Sequence, residues 1–138
     1  MTISIKNEGP IFDGRAPAAI KRAVEDTIEE AVNFGESQLH TFATMRPRGV
    51  FKSPAEAGTA ASTGNYRRNI HGRRTGLFGR IDDNKVIYGP WLEGTSSRNQ
   101  TTRFKGYALW RRTSQMIQRR AGAILRAKMS RAIEKLGR

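Results

Sequence analysis

The chain contains no cysteine among its 138 residues, and this absence excludes several kinds of chemistry. Without thiols, the protein can form neither a disulfide nor a thiolate metal site, and it has no cysteine nucleophile. Its two histidines, His40 and His71, lie far apart in the sequence and have no carboxylates beside them in ligand spacing. The sequence therefore predicts no metal site and no cofactor.

Long apolar runs are missing as well. No segment approaches the roughly 18 apolar residues that a membrane span requires. The opening stretch MTISIKNEGP has neither the basic lead nor the apolar block of a signal peptide. We therefore expect no membrane contact and a protein that is made in the cytoplasm.

The common catalytic patterns are also lacking. The chain has no GxxxxGK[ST] phosphate loop and no GxSxG nucleophile motif. Asp82 and Asp83 are adjacent in a predicted hairpin turn, where we expect both carboxylates to be solvated. Glu93 has no evident acid partner nearby in the sequence. These observations predict a protein without enzymatic activity.

Positive charge is what the chain has in excess. It carries 25 lysines and arginines against 12 acidic residues, a net charge of +13. Residues 1–45 hold four basic and seven acidic side chains, so residues 46–138 carry a net +16. A surface this basic attracts polyanions or the acidic face of another protein.

Two long segments repeat apolar residues at the spacing of a helix. In residues 16–45 these positions are three or four apart, which places them on one stripe of a helix. The stripe comprises Ile20, Val24, Ile28, Ala31, Gly35, Leu39 and Phe42. Residues 105–136 repeat the pattern, with a stripe formed by Leu109, Ile117, Ala121, Ile124, Leu125, Met129, Ala132, Ile133 and Leu136. We expect a long helix in each segment.

The residues between these helices show shorter patterns. Residues 46–64 contain two prolines and three glycines without a sustained period, which predicts a loop. Residues 65–93 contain alternating and short apolar runs, which predict three or four antiparallel strands with a hairpin turn at 82–84. Residues 94–104 are predicted to form an exposed connector. The whole chain, 1–138, is therefore expected to be a single α+β domain.

Arginines cluster in the positively charged part of the chain. We expect six of them to contact either a polyanion or an acidic partner, namely Arg67, Arg68, Arg73, Arg74, Arg112 and Arg119. Nearby aromatic residues can stack on nucleic-acid bases or close the protein's own core. No zinc finger, RNP box or clear helix-turn-helix accompanies them, so the DNA alternative is a nonspecific one.

The order of these features resembles one family of phage proteins. The first helix leads through a loop into TGNYRRNIH (63–71), and a hairpin precedes YGPWLEGT (88–95), SRNQTTRFKGY (97–107) and the closing helix. This arrangement is similar to that of the tail-completion, or head-to-tail joining, proteins of long-tailed bacteriophages. Members of that family show a TG-x-L-R-x-S-I strand entry and a segment like Y-x-x-x-x-E-x-G-T.

The chain matches some of the positions of each motif. The strand entry matches at Thr63, Gly64, Arg67 and Ile70. The second segment matches at Tyr88, Glu93, Gly94 and Thr95, although Gly94 follows Glu93 directly here and the exact spacing varies among such proteins. Tyr66 stands where the family tends to have leucine, and Asn69 where it tends to have serine. The resemblance spans about residues 16–136.

The resemblance implies a structural virion protein of the phage neck, without enzymatic activity and with an α+β fold. Such proteins form a ring, usually a hexamer, between the head connector and the tail tube, so neighbouring neck and tail proteins are the implied partners. Tail completion, tail terminator and stopper roles stay open. A ring with this charge faces either acidic neighbours or, through weak contacts, the genomic DNA that passes through it. The alternative function is nonspecific DNA binding.

The stretch around the second motif supplies the candidate subunit or partner contacts. These residues are Trp91, Glu93, Arg98, Arg103, Phe104 and Tyr107. Buried aromatics and arginines dominate interface energies, although Trp91 and Phe104 are equally suited to fill the domain's own core. Arg98 and Arg103 are expected to pair with acidic residues of a neighbouring subunit, such as Glu25, Glu29 or Glu30.

Overall fold

The structure, a computed structural model, describes residues 1–6, 18–45, 65–103 and 105–136. In chain order the elements are β1 (Thr2–Lys6), α1 (Ala18–Met45), α2 (Asn65–Arg68), β2 (His71–Thr75), β3 (Phe78–Asp82), α3 (Gly89–Glu93), α4 (Arg98–Thr101) and α5 (Leu109–Leu136). Two long helices and a small antiparallel sheet confirm the predicted α+β class.

The sheet has three strands in the order β1-β3-β2, and both pairings are antiparallel. Ile81 of β3 lies opposite Ile3 on one side and opposite Gly72 on the other. Because side chains alternate along a strand, Ile3, Ile5 and Ile81 share one face of the sheet. The other face carries Thr2, Ser4, Lys6, Phe78, Arg80, Asp82, His71, Arg73 and Thr75.

The core forms where α1 packs against the sheet and against α5. The apolar stripe of α1 is almost fully buried, as the helical period predicted, and Ile28 and Leu39 are 1% and 0% exposed. The buried core cluster consists of Ile3, Val24, Ile28, Ala31, Val32, Leu39, Ile70, Ile81, Leu109, Trp110 and Ile117. Burial of each large apolar side chain contributes roughly 1.5–3 kcal/mol to folding, so this cluster is the main source of stability.

Glycine allows α1 to approach the middle strand closely. A Cβ atom at Gly79 would lie 2.6 Å from Val32 Cγ2 and 2.7 Å from Ile28 Cγ2. These distances are well below ordinary carbon–carbon contact, so a larger residue would force the helix away from the strand. The glycine therefore sets the distance between the two layers.

The structure corrects several of the predicted element boundaries. Residues 65–68 form a helical turn instead of a strand, and Gly89–Glu93 is a short helix where a strand end was predicted. Pro90 is in the first turn of that helix, where its missing N–H costs no hydrogen bond. The strand Thr2–Lys6 was not predicted, because its alternation of apolar and polar residues is only five residues long.

The hairpin turn also lies elsewhere. It connects β2 and β3 at Gly76–Leu77, with Gly76 at a φ of +58°, a conformation that glycine adopts without strain. The predicted turn at 82–84 instead ends β3. The predicted connector 94–104 contains the helical turn α4, and α5 begins at Leu109 rather than at residue 105. The predicted loop 46–64 lies outside the described residues.

Candidate functional site

The chain makes two consecutive turns after β3, and they hold the most exposed large apolar side chain of the described residues. The Val86 N–H donates to the Asp83 carbonyl at 3.3 Å, and the Gly89 N–H donates to the Val86 carbonyl at 3.0 Å. Between these bonds the side chain of Ile87 is 96% exposed and that of Tyr88 is 41% exposed. We call these two side chains the apolar knob.

A buried polar network fixes the base of the knob. Asp83 is 1% exposed, and its Oδ1 lies 3.0 Å from the α-amino group of Met1. The same oxygen accepts the Lys85 N–H at 3.2 Å, and the Tyr66 hydroxyl donates to Oδ2 at 3.3 Å. Trp110 Nε1–H in turn donates to the Tyr66 oxygen at 2.8 Å. The network therefore ties β1, α2, α5 and the turn together.

This network overturns one expectation. Asp83 was predicted to be solvated, whereas the structure buries it because Met1, just before β1, and Tyr66 of α2 supply an amino group and a hydroxyl that satisfy its charge. Asp82, the last residue of β3, stays half-buried, accepts the Asn84 N–H at 3.0 Å and pairs with Arg80 at 3.1 Å. The two adjacent carboxylates thus have separate partners.

Burial changes the acidity of one member of the network. Desolvation raises the pKa of the Tyr66 phenol well above its ordinary value of 10.0. The hydrogen bond from Trp110 opposes this rise, and the nearby carboxylates of Asp83 and Glu93 add to it. Tyr66 is therefore held neutral as a hydrogen-bonding link between Trp110 and Asp83.

Glu93 has a defined role within the fold. It is 7% exposed, and its two carboxylate oxygens accept the backbone N–H groups of Trp110 and Arg111, each at 2.9 Å. These donors belong to the first turn of α5, where backbone N–H groups lack partners within the helix and the dipole favours a negative charge. Glu93 thus caps α5, and its predicted part in a subunit contact stays a prediction.

The segment 105–108 positions α5 beside α3. The Tyr107 N–H donates to the Leu92 carbonyl at 2.7 Å, and the Ala108 N–H donates to the Glu93 carbonyl at 3.1 Å. The two segments of backbone approach each other closely at Gly94 and Gly106, and both glycines have a positive φ. This contact brings the Glu93 carboxylate to the start of the helix that it caps.

The other predicted contact residues differ in their exposure. Trp91 and Tyr107 are half-buried, and Tyr107 packs against the core cluster. Arg98 and Arg103 are exposed at α4 and just after it. Phe104 lies outside the described residues. Among the candidate contact residues, Arg98 and Arg103 are therefore the ones whose side chains are accessible to a partner.

Two of the three acidic residues that were expected to meet Arg98 and Arg103 already have basic neighbours in the chain. Glu29 lies 3.8 Å from Arg74, and Glu30 lies 3.0 Å from Lys128. These carboxylates are 57% and 52% exposed, and ion pairs this exposed contribute little to stability. They can exchange partners at small cost, so the pairing with a neighbouring subunit stays a prediction.

The six predicted polyanion contacts divide into two groups. Arg74 is half-buried against Glu29, while the Arg112 guanidinium lies 5.0 Å from the centre of the Phe42 ring and donates to the Tyr107 carbonyl at 3.0 Å. These two arginines serve the packing of α1 on its neighbours. The remaining four are exposed, namely Arg67, Arg68, Arg73 and Arg119.

The exposed arginines lie on three different elements. Arg67 is on α2, Arg73 points away from α1 on the open face of the sheet, and Arg119 is on the outer side of α5. Within the described parts of the chain, none of these three forms an ion pair with a carboxylate. Their charge is thus available to an external anionic group.

Among the described residues, no group of three or more histidine, aspartate or glutamate side chains is arranged to hold a metal ion. No helix in the same residues is long and apolar enough to cross a membrane.

Comparison with protein-family models, curated proteins and solved structures finds no match. The resemblance to phage tail-completion proteins therefore stays a prediction from the sequence.

The apolar knob and the buried network were both missed by the sequence analysis. The run KVIYGPW (85–91) was interpreted as a strand. In a strand, the Ile87 side chain would lie between side chains of the two adjacent strands. The available signal was the density of turn-forming residues before it, because Asp83 and Asn84 favour turns. Tyr66 and Trp110 are 44 residues apart, and nothing in their local sequence indicates that they meet.

Proposed function

We propose that the protein is a structural component of the neck of a long-tailed bacteriophage. In this proposal it forms a ring that completes the tail and joins it to the head connector. We expect six copies in the ring, as is usual for the family that it resembles. The order of sequence features supports the proposal, as does the fold of two long helices and a small antiparallel sheet. The observation that carries it is the apolar knob, which presents Ile87 to solvent immediately before the second motif.

An isoleucine that is 96% exposed contributes little to packing against the part of the chain that the structure describes. Burying such a side chain against a partner contributes roughly 1.5–3 kcal/mol to association. Tyr88 beside it packs against Tyr66 in a tilted arrangement, with ring centroids 5.8 Å apart and an interplanar angle of 47°, so the knob is anchored to the network beneath it. A rigid apolar projection loses little conformational entropy on binding and is suited to a protein contact.

The distribution of charge fits a ring with unlike faces. In a closed ring each subunit uses one surface to contact the next subunit and a different surface to contact the previous one. The outer side of α1 carries Asp26, Glu29 and Glu30, and the exposed arginines lie on α2, β2, α4 and α5. We propose that these acidic and basic surfaces meet between subunits, which offsets the repulsion between copies of a chain with net charge +13.

A genetic experiment tests the proposal in the phage that encodes this chain. Loss of a neck component is expected to leave DNA-filled heads and complete tails that do not join, visible by electron microscopy of lysates. The wild-type gene supplied in trans restores joined particles. Normal particles in the absence of the protein would contradict the proposal.

Nonspecific DNA binding is the second candidate function, and the exposed arginines on α2, β2 and α5 favour it. It predicts binding to duplex DNA of any sequence that weakens steeply with salt, because each phosphate contact releases a counterion. Charge reversal at Arg73 and Arg119 is expected to reduce both the affinity and the salt dependence. Binding that is absent at low salt, or that does not respond to salt, would reject this function.

A further inference from the structure

One side of the β1 backbone faces away from the sheet. β1 is an edge strand that pairs only with β3 among the described residues. The Asp83 N–H donates to the Met1 carbonyl at 3.3 Å, so Met1 and Asp83 form a hydrogen-bonded pair. Because such pairs alternate along an antiparallel ladder, Ile3 and Ile5 also hydrogen-bond to β3. The N–H and C=O groups of Thr2, Ser4 and Lys6 therefore point outward, in the pattern that an added strand requires.

An open groove of about 620 Å³ lies beside this edge. Thr2 and Ser4 contribute to one of its sides, and Ala108, Arg111 and Ser114 contribute from the start of α5. An added strand lies about 4.8 Å from its neighbour, with side chains directed alternately to either face of the sheet. The groove therefore gives an extended segment access to the outward backbone groups of β1.

The charges around the groove favour an acidic occupant. Lys105 and Arg111 are exposed residues that line it, and Lys6 lies along the same strand edge. The only carboxylate among the lining residues is that of Glu93, which already accepts two backbone N–H groups. An acidic segment would thus meet positive charge without an opposing free carboxylate.

A second copy of the chain is disfavoured as the occupant. Pairing two β1 edges would bring two basic grooves together, in a protein whose net charge is +13. An acidic segment of another protein has the opposite charge and obtains its affinity from main-chain hydrogen bonds.

We propose that the β1 edge binds an extended acidic segment of a partner protein, which adds to the sheet as a fourth strand. The segment hydrogen-bonds to the backbone of Thr2, Ser4 and Lys6 and places carboxylates near Arg111 and Lys105. This inference is independent of the neck assignment, because it rests on the register of β1 and on the residues of the groove.

The test uses the full chain and a peptide that alternates glutamate with valine, titrated to about 1 mM, a concentration that detects weak binding. A peptide that alternates lysine with valine serves as the charge control. Backbone amide chemical shifts are measured by NMR, and the acidic peptide is expected to shift Thr2, Ser4, Lys6 and Arg111. The lysine peptide is expected to leave these amides unchanged.

Two pairs of variants separate backbone pairing from charge. Ser4→Pro removes an outward N–H that β3 does not use, whereas Ser4→Ala keeps it. Proline is expected to weaken binding about tenfold or more, and alanine is expected to leave it unchanged. Arg111→Glu is expected to weaken binding similarly, whereas Arg126→Glu, an exposed position of α5 that does not line the groove, is expected to have little effect.

Each outcome bears on the proposal. Shifts at the β1 edge that depend on the Ser4 N–H and on Arg111 support it. No binding of the acidic peptide overturns it, and so does equal binding of the lysine peptide. Shifts confined to Arg73 and Arg119, which do not line the groove, also overturn it, since they indicate charge attraction without strand addition. Circular dichroism of each variant establishes that the fold is retained.

Discussion

Trp110 Nε1–H donates a hydrogen bond to the hydroxyl oxygen of Tyr66 at 2.8 Å, across 44 residues of sequence. Tyr66 in turn donates to the buried carboxylate of Asp83, so one hydroxyl connects the start of α5 with the end of β3. A group with partners on both sides, in a poorly hydrated position, is costly to remove. This link holds the base of the apolar knob in place.

The first prediction concerns this hydroxyl. Tyr66→Phe keeps the ring but leaves the Trp110 indole N–H without its acceptor, which is expected to lower the free energy of unfolding by about 1–3 kcal/mol. Tyr88→Phe is the matched control: this residue is 41% exposed, and water can replace lost hydrogen bonds there, so a smaller loss is expected. Urea unfolding of both variants measures the difference. Equal losses would contradict the proposed role of the network.

The second prediction concerns pH. The pKa of Tyr66 is higher in the folded than in the unfolded protein. The contribution of the neutral phenol to the free energy of unfolding is therefore complete below about pH 10 and is lost as the pH rises above it. The free energy of unfolding is therefore expected to fall more steeply above pH 10 in the wild type than in Tyr66→Phe. A spectrophotometric titration of the wild type and of Tyr66→Phe is expected to show that the difference between them, which is the Tyr66 phenol, ionises only on unfolding. Ionisation of Tyr66 near pH 10 in the folded protein would exclude the buried assignment.

The third prediction tests the cap of α5. Glu93→Ala removes the acceptor of two backbone N–H groups in the first turn and is expected to cost about 1–3 kcal/mol of stability. Glu93→Gln keeps one acceptor oxygen and is expected to cost less. Glu134→Gln, an exposed change in the last turns of the same helix, serves as the control and is expected to be nearly neutral. Thermal unfolding ranks the three variants, and a neutral Glu93→Ala would refute the capping role.

The fourth prediction compares two glycines in opposite surroundings. Gly79→Ala forces a methyl group against Val32 and Ile28 and is expected to destabilise the fold by about 1–3 kcal/mol. Gly122→Ala adds the same methyl group to α5 where no atom lies within 4 Å, and it is expected to stabilise by up to about 1 kcal/mol. Opposite signs in denaturant unfolding support the packing of α1 on β3. The same sign for both would count against it.

The fifth prediction tests the apolar knob as a subunit contact. Ile87→Asp is expected to leave the monomer's unfolding free energy within about 0.5 kcal/mol of wild type, since the side chain is 96% exposed. It is expected to abolish the joining of heads to tails in the complementation experiment. Ile133→Asp, at another exposed isoleucine that is 57% accessible, is the control and is expected to support joining. Full complementation by Ile87→Asp would remove the knob from the proposed interface.

The long elements were predictable because their signals are local. The apolar period of α1 extends over many turns, and its buried residues Val24, Ile28 and Leu39 are those that the period selects. The period of α5 was equally clear, although Ile133 of its predicted stripe is 57% exposed. A stripe marks the apolar side of a helix, but the extent of its burial depends on where neighbouring elements end.

The details around the candidate site were not predictable, because they depend on distant contacts. Asp83 is buried only because Met1 and Tyr66 come together around it, and Glu93 caps a helix that begins many residues later. The Tyr88–Glu93 stretch contains strand-favouring aromatics, yet Pro90 and the contact of Gly94 with Gly106 select a helical turn. Short elements follow their tertiary surroundings more than their own composition.

The proposed neck assignment is tested most directly by a reconstruction of the phage particle by electron cryomicroscopy. The proposal predicts a ring between the head connector and the tail tube whose subunit density contains the three-stranded sheet with α1 across one face. It also predicts that Ile87 is buried against an adjacent protein. Absence of the chain from purified particles would contradict the proposal.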